Sequence, residues 1–161
     1  MDADAFSTIT EFAVALAGFS GIVVAIAHRG DTFPSIDRYR TLTLLAYSLS
    51  AAFGSLLPMA VESLGFSGDE VWRIAGAALA VVLAASIVIS FLGTRRLDEE
   101  DREGLSVAVG TLTAGGNGLL IVWLVVNSLT LASPSPLVFA LIWQLGLSSL
   151  QFVRLVLARR G

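Results

Sequence analysis

The stretch that decides the fold runs from Arg73 to Arg95, RIAGAALAVVLAASIVISFLGTR, and no charged residue lies between its two ends. An uncharged apolar run of about 20 residues is long enough, as a helix, to cross the hydrocarbon core of a bilayer. The longer run between Glu103 and Arg154 is also free of charge, and Ser133–Pro136 (SPSP) divides it in two. These two runs predict three membrane-spanning helices.

Two further apolar runs precede them, and each holds a single charged residue: Glu11 in the first and Glu62 in the second. The 161-residue chain is 55% hydrophobic and 14% charged, whereas an average soluble domain is about 45–50% apolar and about 25% charged. We therefore predict an all-α, polytopic membrane protein with one domain, a bundle of five transmembrane helices. The predicted spans are about 9–27, 41–64, 71–92, 105–131 and 137–157.

The arginines predict the orientation of the bundle. Nine of the ten basic residues, all of them arginine, fall in the 28–40 segment, the 94–104 segment or the C-terminal tail, and only Arg73 falls on the other side. Loops rich in arginine stay in the cytoplasm. The bias predicts an N-terminus outside and a C-terminus in the cytoplasm, as an odd number of spans requires.

Composition also excludes several functions. The chain has no cysteine, one histidine and a net charge of −3. It therefore lacks the ligands for a thiolate or multi-histidine metal site and the basic patch of a nucleic-acid binder. We expect no catalytic residues, no metal, no cofactor and no nucleic-acid partner, and we do not expect an enzyme.

Small residues recur every four positions in three spans. Such rows let membrane helices approach closely, since lipid gives them no hydrophobic reason to associate. We expect these rows to pack within the bundle; the alternative is that one of them faces another subunit. The rows are Ala13, Ala17, Gly21 and Ala25; Gly76, Ala80 and Ala84; and Gly110, Ala114 and Gly118.

Two spans contain residues that weaken a helix. Pro58 follows Gly54 by four residues, a spacing at which glycine eases the kink that proline imposes. Ala114–Gly118 (AGGNG) places three glycines around Asn117 near the middle of the fourth span. This segment predicts close helix contact with an interhelical hydrogen bond from Asn117; the alternative is an unwound site for an ion or solute.

Polar residues in four spans lie near the predicted outer face. Glu11, Glu62, Arg73 and Asn127 share this level, and intramembrane charges are usually paired. A short turn joins spans two and three, so we expect Arg73 to pair with Glu62 before Glu11. The alternative is a capping Glu11, a solvated Glu62 and an Arg73 that reaches lipid phosphates.

The last span has a polar face of its own, formed by Gln144, Ser148 and Gln151, with Arg154 at its inner end. We expect this face to meet protein or water rather than lipid. Taken together, the predicted residues of a pore or polar cluster are Glu11, Glu62, Arg73, Asn117, Asn127 and Gln144.

Four short segments resemble an uncharacterised family of small bacterial polytopic membrane proteins. They are Ala17–Val23 (AGFSGIV), Leu57–Pro58, Val71–Arg73 (VWR) and Gln151–Leu155 (QFVRL). The resemblance covers the whole chain and implies a location in the bacterial inner membrane. It implies no activity and no site residues.

Two functions fit these patterns. The first is an oligomeric channel or transporter-like subunit that passes a small ion or solute, because polar residues occur at membrane depth. The second is a non-conducting structural, sensory or accessory subunit of a membrane complex, because spans three to five carry charges only near their ends. The expected partners are the lipid bilayer and further copies of the chain.

Overall fold

The computed structural model describes residues 3–27, 35–95, 97, 99 and 107–157. Five long α-helices make up most of these residues, and each has a segment long and apolar enough to cross a membrane, which confirms the predicted all-helical class. The predicted start of span four at residue 105 lies outside the described residues. The helices are α1 (Ala3–Ala27), α2 (Ser35–Ser63), α3 (Asp69–Arg95), α4 (Val107–Leu129) and α5 (Ser135–Leu157).

Three helices extend beyond the predicted spans because polar residues continue them. The first turns of α2 hold an ion pair of 3.4 Å between Arg40 and Asp37, on successive turns of the helix. α1 begins at Ala3 rather than near residue 9, and α3 runs on to Arg95 rather than ending near residue 92. Apolar run length measures the part of a helix that suits lipid, so it underestimates the helix itself.

Short turns join α2 to α3 and α4 to α5. In the first, Gly65 and Gly68 have φ of 93° and 59°, which an L side chain rarely adopts, so glycine suits both positions. The second turn holds Ala132 at φ 52°. α5 begins at Ser135, and the amide of Val138 already donates to the carbonyl of Pro134 at 3.2 Å.

Both turns lie at one end of the bundle, which we call the hairpin end. The opposite end holds Arg38, Arg40, Arg95 and Arg154, and we call it the arginine end. Helices that follow one another along the chain run antiparallel between the two ends, whereas α1 and α5, which also pack together, run parallel.

α2 is the central helix and packs mainly against α1 and α5, while α4 packs mainly against α3. Gly54 permits the contact with α5, since a Cβ there would lie 2.6 Å from Cδ2 of Leu141. Leu79, Leu124 and Leu141 are fully buried in the core between these helices. Around the bundle, large apolar side chains on all five helices are exposed, a pattern typical of helices that face lipid.

The rows of small residues pack differently from our first expectation. Ala13 and Ala80 are buried, but a Cβ added at Gly21, Gly110 or Gly118 would meet nothing within 4 Å. Ala17 is half-buried, and Ala114 is exposed. In α4 no side chain of the described residues fills the space beside Gly110 or Gly118, and Gly110 and Ala114 line a cavity between the helices rather than a close helix contact.

Other glycines make the close contacts instead. A Cβ at Gly116 would run into the indole ring of Trp143, and a Cβ at Gly76 would lie 2.9 Å from Oγ of Ser128. Gly76 thus brings α3 against α4, and Gly116 brings α4 against α5.

Candidate functional site

A cavity of about 290 Å³ opens between α2, α3, α4 and α5 in the half of the bundle near the arginine end. Its volume is at the lower limit of those that hold small-molecule ligands. Polar residues recur along each helix that lines it, one turn apart, so one face of each helix contributes them. The lining residues are Tyr39, Thr43, Tyr47, Ile87, Ser90, Phe91, Thr94, Val109, Gly110, Thr113, Ala114, Asn117, Gln151 and Arg154.

Asn117 forms the deep end of this cavity, near the middle of the bundle. Its side chain is 1% exposed, and its Oδ1 accepts a hydrogen bond of 2.9 Å from Nε1–H of Trp143. Its Nδ2 makes no hydrogen bond of ordinary geometry, although it lies close to the hydroxyl of Tyr47, another lining residue. Because the bond to Trp143 fixes the amide, the free donor stays in place at the cavity.

Gln151 lies one helical turn from the arginine end, on the wall formed by α5. Its side chain is 7% exposed, and its Oε1 has no hydrogen-bond partner. The cavity thus offers an unused donor from α4 and an unused acceptor from α5. A buried polar atom without a partner is uncommon in a folded protein and calls for a water, an ion or a ligand.

Threonine hydroxyl groups also line the wall. Thr43 Oγ1 donates to the carbonyl of Tyr39 at 2.7 Å, and Thr94 Oγ1 donates to the carbonyl of Phe91 at 2.9 Å. The bond from Thr43 uses its hydroxyl proton, and the oxygen can still accept a hydrogen bond from a guest. Gly93 lets the ring of Tyr39 come close to α3, since a Cβ there would lie 3.2 Å from Cε2 of that ring.

The part of the cavity nearest the arginine end, which we call its mouth, is cationic. Arg154 lies there, and Arg95 lies 4.3 Å above the ring of Phe91, another lining residue. No aspartate or glutamate of the described ranges lines the cavity. The described lining therefore favours a guest that is neutral or negatively charged.

The predicted cluster of charges at the hairpin end does not form. Arg73 donates to the carbonyls of Ser128 at 2.9 Å and Thr130 at 3.2 Å, while Glu62 is exposed and pairs with no cation of the described residues. The predicted Glu62–Arg73 ion pair is thus wrong. The end of α4 lies beside Arg73 and presents carbonyls that lack helical partners, with the negative end of the helix dipole.

Glu11 also stays apart from Arg73. It lies on an exposed face of α1, where its Oε1 accepts a hydrogen bond of 3.3 Å from Oγ of Ser7. Both predicted carboxylates therefore face the surroundings of the bundle, as in the alternative that left them outside a cluster.

Asn127 has a structural part in the turn between α4 and α5. Its Nδ2 donates to the carbonyl of Ser133 at 2.9 Å, and its Oδ1 accepts from the amide of Ser133 at 3.0 Å. Its own carbonyl accepts from the amide of Ala132 at 2.8 Å. Asn127 holds the turn closed rather than lining a pore.

Gln144 lies in the core between α2 and α5, outside the cavity lining. Its side chain is fully buried, and neither of its amide atoms has a hydrogen-bond partner. One turn further along the same face, Ser148 hydrogen-bonds to Ser48 of α2. The predicted polar face of the last span thus meets protein at Gln144 and Ser148, and the cavity at Gln151.

Of the six residues predicted to form a pore or polar cluster, Asn117 is the one that lines the cavity. Within the described ranges no three acidic or histidine side chains are placed to hold a metal ion. Comparison of the chain with protein-family models, with curated proteins and with solved structures finds no match.

Proposed function

We propose that the protein is a multi-pass protein of the bacterial inner membrane, with its N-terminus outside and its C-terminus in the cytoplasm. Five helices of sufficient length and hydropathy support insertion. The nine arginines on one side of the sequence pattern support the orientation. In this orientation the arginine end, and with it the mouth of the cavity, faces the cytoplasm.

In this membrane the protein acts as a transporter-like subunit that binds a small solute in the cavity. One observation carries the proposal: Asn117 Nδ2 and Gln151 Oε1 are buried, unpartnered and at the same cavity. Buried polar groups without partners destabilise a protein, and a solute that hydrogen-bonds to them would account for their presence. This site takes the place of the polar cluster expected near the outer face.

The cavity is closed toward the hairpin end. Beyond Asn117 the bundle is filled by Trp143, Leu79, Leu124 and Leu141. A site at mid-depth that is open to one side suits a carrier, which exposes its site to each side in turn. Gly115 and Gly118 on either side of Asn117 make this part of α4 the easiest to bend.

Open space beside Gly118 of α4 supports assembly with further copies of the chain, since a Cβ there would meet nothing within 4 Å and a neighbouring backbone has room to approach. Small residues are typical of contacts between membrane helices.

The closure of the cavity toward the hairpin end also favours a second function, that of a non-conducting sensory or accessory subunit. Such a subunit would bind a solute in the cavity and pass on its occupancy to a partner, with no path across the membrane. The two functions share the site and differ in whether the solute reaches the other side.

Swelling of proteoliposomes separates them. Purified protein is placed in liposomes, and its effect on swelling in iso-osmotic glycerol, gluconate or choline is followed by light scattering. A transporter-like subunit speeds entry of at least one solute over empty liposomes, and Asn117→Leu removes the effect while Leu119→Ala, on the exposed face of α4, keeps it. No entry of any solute would contradict transport and leave the accessory function.

A further inference from the structure

The charges around the cavity suggest what it binds. Arg154 lies within electrostatic reach of Arg40, and no carboxylate of the described residues pairs with it. Two guanidinium groups near each other in a partly dry site repel, and an anion between them relieves the repulsion. Arg40 already shares Asp37. Of these two arginines, Arg154 is therefore the one without a carboxylate partner among the described residues.

We propose that the cavity takes a small organic anion with an apolar body, its charged group on the guanidinium of Arg154. This inference rests on the proposed solute-binding function and names its substrate class. Guanidinium binds carboxylate and phosphate in a planar, two-pronged geometry, so either group fits Arg154.

The apolar body follows from the wall above Arg154. Ile87, Phe91 and Val109 contribute apolar surface between the mouth and the deep end. An inorganic anion would leave this surface in contact with water, whereas an aromatic ring or a short aliphatic chain would cover it. The cavity volume of about 290 Å³ admits a molecule of that size.

Gln151 and Asn117 add a preference for a second polar group on the ligand. Gln151 precedes Arg154 by three residues, which is roughly 4.5 Å along a helix. A hydroxyl on the far side of a six-membered ring from a carboxylate supplies the donor that Oε1 of Gln151 lacks, or the acceptor that Nδ2 of Asn117 lacks. 4-Hydroxybenzoate has these features and serves as the probe.

Trp143 provides the signal for a binding experiment, because its indole is bonded to Asn117 at the deep end. Trp72 and Trp123 are replaced by phenylalanine, a mild change since each already contacts a phenylalanine ring. The protein is placed in nanodiscs of zwitterionic lipid, and Trp143 fluorescence is titrated with 4-hydroxybenzoate and with the neutral 4-hydroxybenzamide.

We expect saturable binding of 4-hydroxybenzoate and affinity at least tenfold lower for 4-hydroxybenzamide. Arg154→Gln should lower the affinity for the anion at least tenfold, and Arg154→Lys should retain part of it. Arg38→Gln is the matched control, since Arg38 is an exposed arginine at the same end that does not line the cavity. It should leave the affinity unchanged, and melting temperatures verify that each variant is folded.

Equal affinity for the acid and the amide would overturn the anion and leave solute binding intact. Equal weakening by Arg154→Gln and Arg38→Gln would overturn the site, because attraction would then come from the charge of the whole end. Failure of both probes to bind would contradict the inference and the proposed function together.

The source of the anion is settled by adding phosphatidylglycerol to the nanodiscs. If it competes with 4-hydroxybenzoate through Arg154, the natural occupant is the phosphate of an anionic lipid. If affinity is unchanged, the site takes a free anion.

Discussion

Trp143 donates a hydrogen bond of 2.9 Å from its indole nitrogen to Oδ1 of Asn117, and the same ring covers the backbone at Gly116. The contact joins α4 to α5 at the deep end of the cavity. It orients the Asn117 amide so that the oxygen is used within the protein and the nitrogen is left for a guest. Within the glycine-rich segment of α4, Gly116 thus makes the close contact with α5, and Asn117 beside it forms the deep end of the cavity.

Gly116→Ala should destabilise the protein because the added methyl group has no space beside the indole of Trp143. Overpacking of this kind typically costs about 1–3 kcal/mol. Gly118→Ala is the matched control, since a Cβ there meets nothing within 4 Å and a helix gains about 1 kcal/mol from the exchange. Thermal unfolding in detergent measures both.

Equal melting temperatures for these two variants would show that the rotation of α4 about its axis differs from that in the structure. Gly118→Leu extends the test to assembly: it should leave the melting temperature of the single chain unchanged and reduce the oligomer observed by native mass spectrometry.

Arg73→Ala should destabilise the protein because it removes both hydrogen bonds from α3 to the end of α4. Hydrogen bonds from a charged group contribute about 1.5–3 kcal/mol, reduced here because Arg73 is partly exposed. Glu62→Ala should change the unfolding free energy little, and the double variant should show the sum of the two effects. A double variant more stable than Arg73→Ala alone would show that Glu62 and Arg73 interact, which would contradict the structure.

Asn127→Ala should destabilise the turn between α4 and α5, since the backbone of Ser133 would lose a donor and an acceptor at once. Leaving buried polar groups unpaired costs about 1–3 kcal/mol. Asn127→Asp keeps the acceptor and loses the donor, so its melting temperature should fall below that of the native protein. If Asn127→Ala unfolds at the same temperature as the native protein, the hydrogen bonds between Asn127 and Ser133 do not stabilise it.

Gln144→Leu should stabilise the protein. The native amide is fully buried with neither atom bonded, and leucine has a similar volume without the cost of a buried polar group, about 1–3 kcal/mol. Leu145→Ala, a change at the next position, should have the opposite effect by opening a cavity. A loss of stability in Gln144→Leu would reveal a bound water or other partner at this amide.

The five helices could be predicted from the sequence because each apolar run carries its own signal of length and hydropathy. The run from Arg73 to Arg95 is sufficient by itself to define α3, without any knowledge of its neighbours. The ends were less exact, since polar turns such as that of Arg40 and Asp37 prolong a helix beyond its apolar part.

The packing could not be predicted because it depends on how each helix is rotated about its axis. Gly116 and Gly118 lie in the same short segment, yet one faces Trp143 and the other faces open space. Nothing local to the segment distinguishes them. Small residues spaced four apart show that a helix has a face of small side chains. They do not show what that face contacts.

The cavity was missed for a related reason. Tyr39, Thr43 and Tyr47 follow one another at helical spacing, and so do Ser90 and Thr94, so the polar rows are visible in the sequence. Whether those rows meet is decided by the arrangement of four helices. The prediction for Asn127 was wrong for a different reason. A polar residue near a helix end was interpreted as part of a pore, although the adjacent turn supplies its hydrogen-bond partners.

The most direct test of the account is thiol labelling of Thr113→Cys, which places a reactive group on the cavity wall of a chain that has no native cysteine. Labelling by a membrane-impermeant maleimide needs water at the thiol, because the thiolate is the nucleophile. Ala51→Cys in the core and Leu119→Cys on the exposed face of α4 are the controls that should stay unlabelled.

We predict that Thr113→Cys is labelled in inside-out vesicles, where the cytoplasmic side is accessible, and is not labelled in right-side-out vesicles. Protection from label in both vesicle types would contradict a water-accessible cavity. Labelling in right-side-out vesicles alone would contradict the proposed orientation of its mouth.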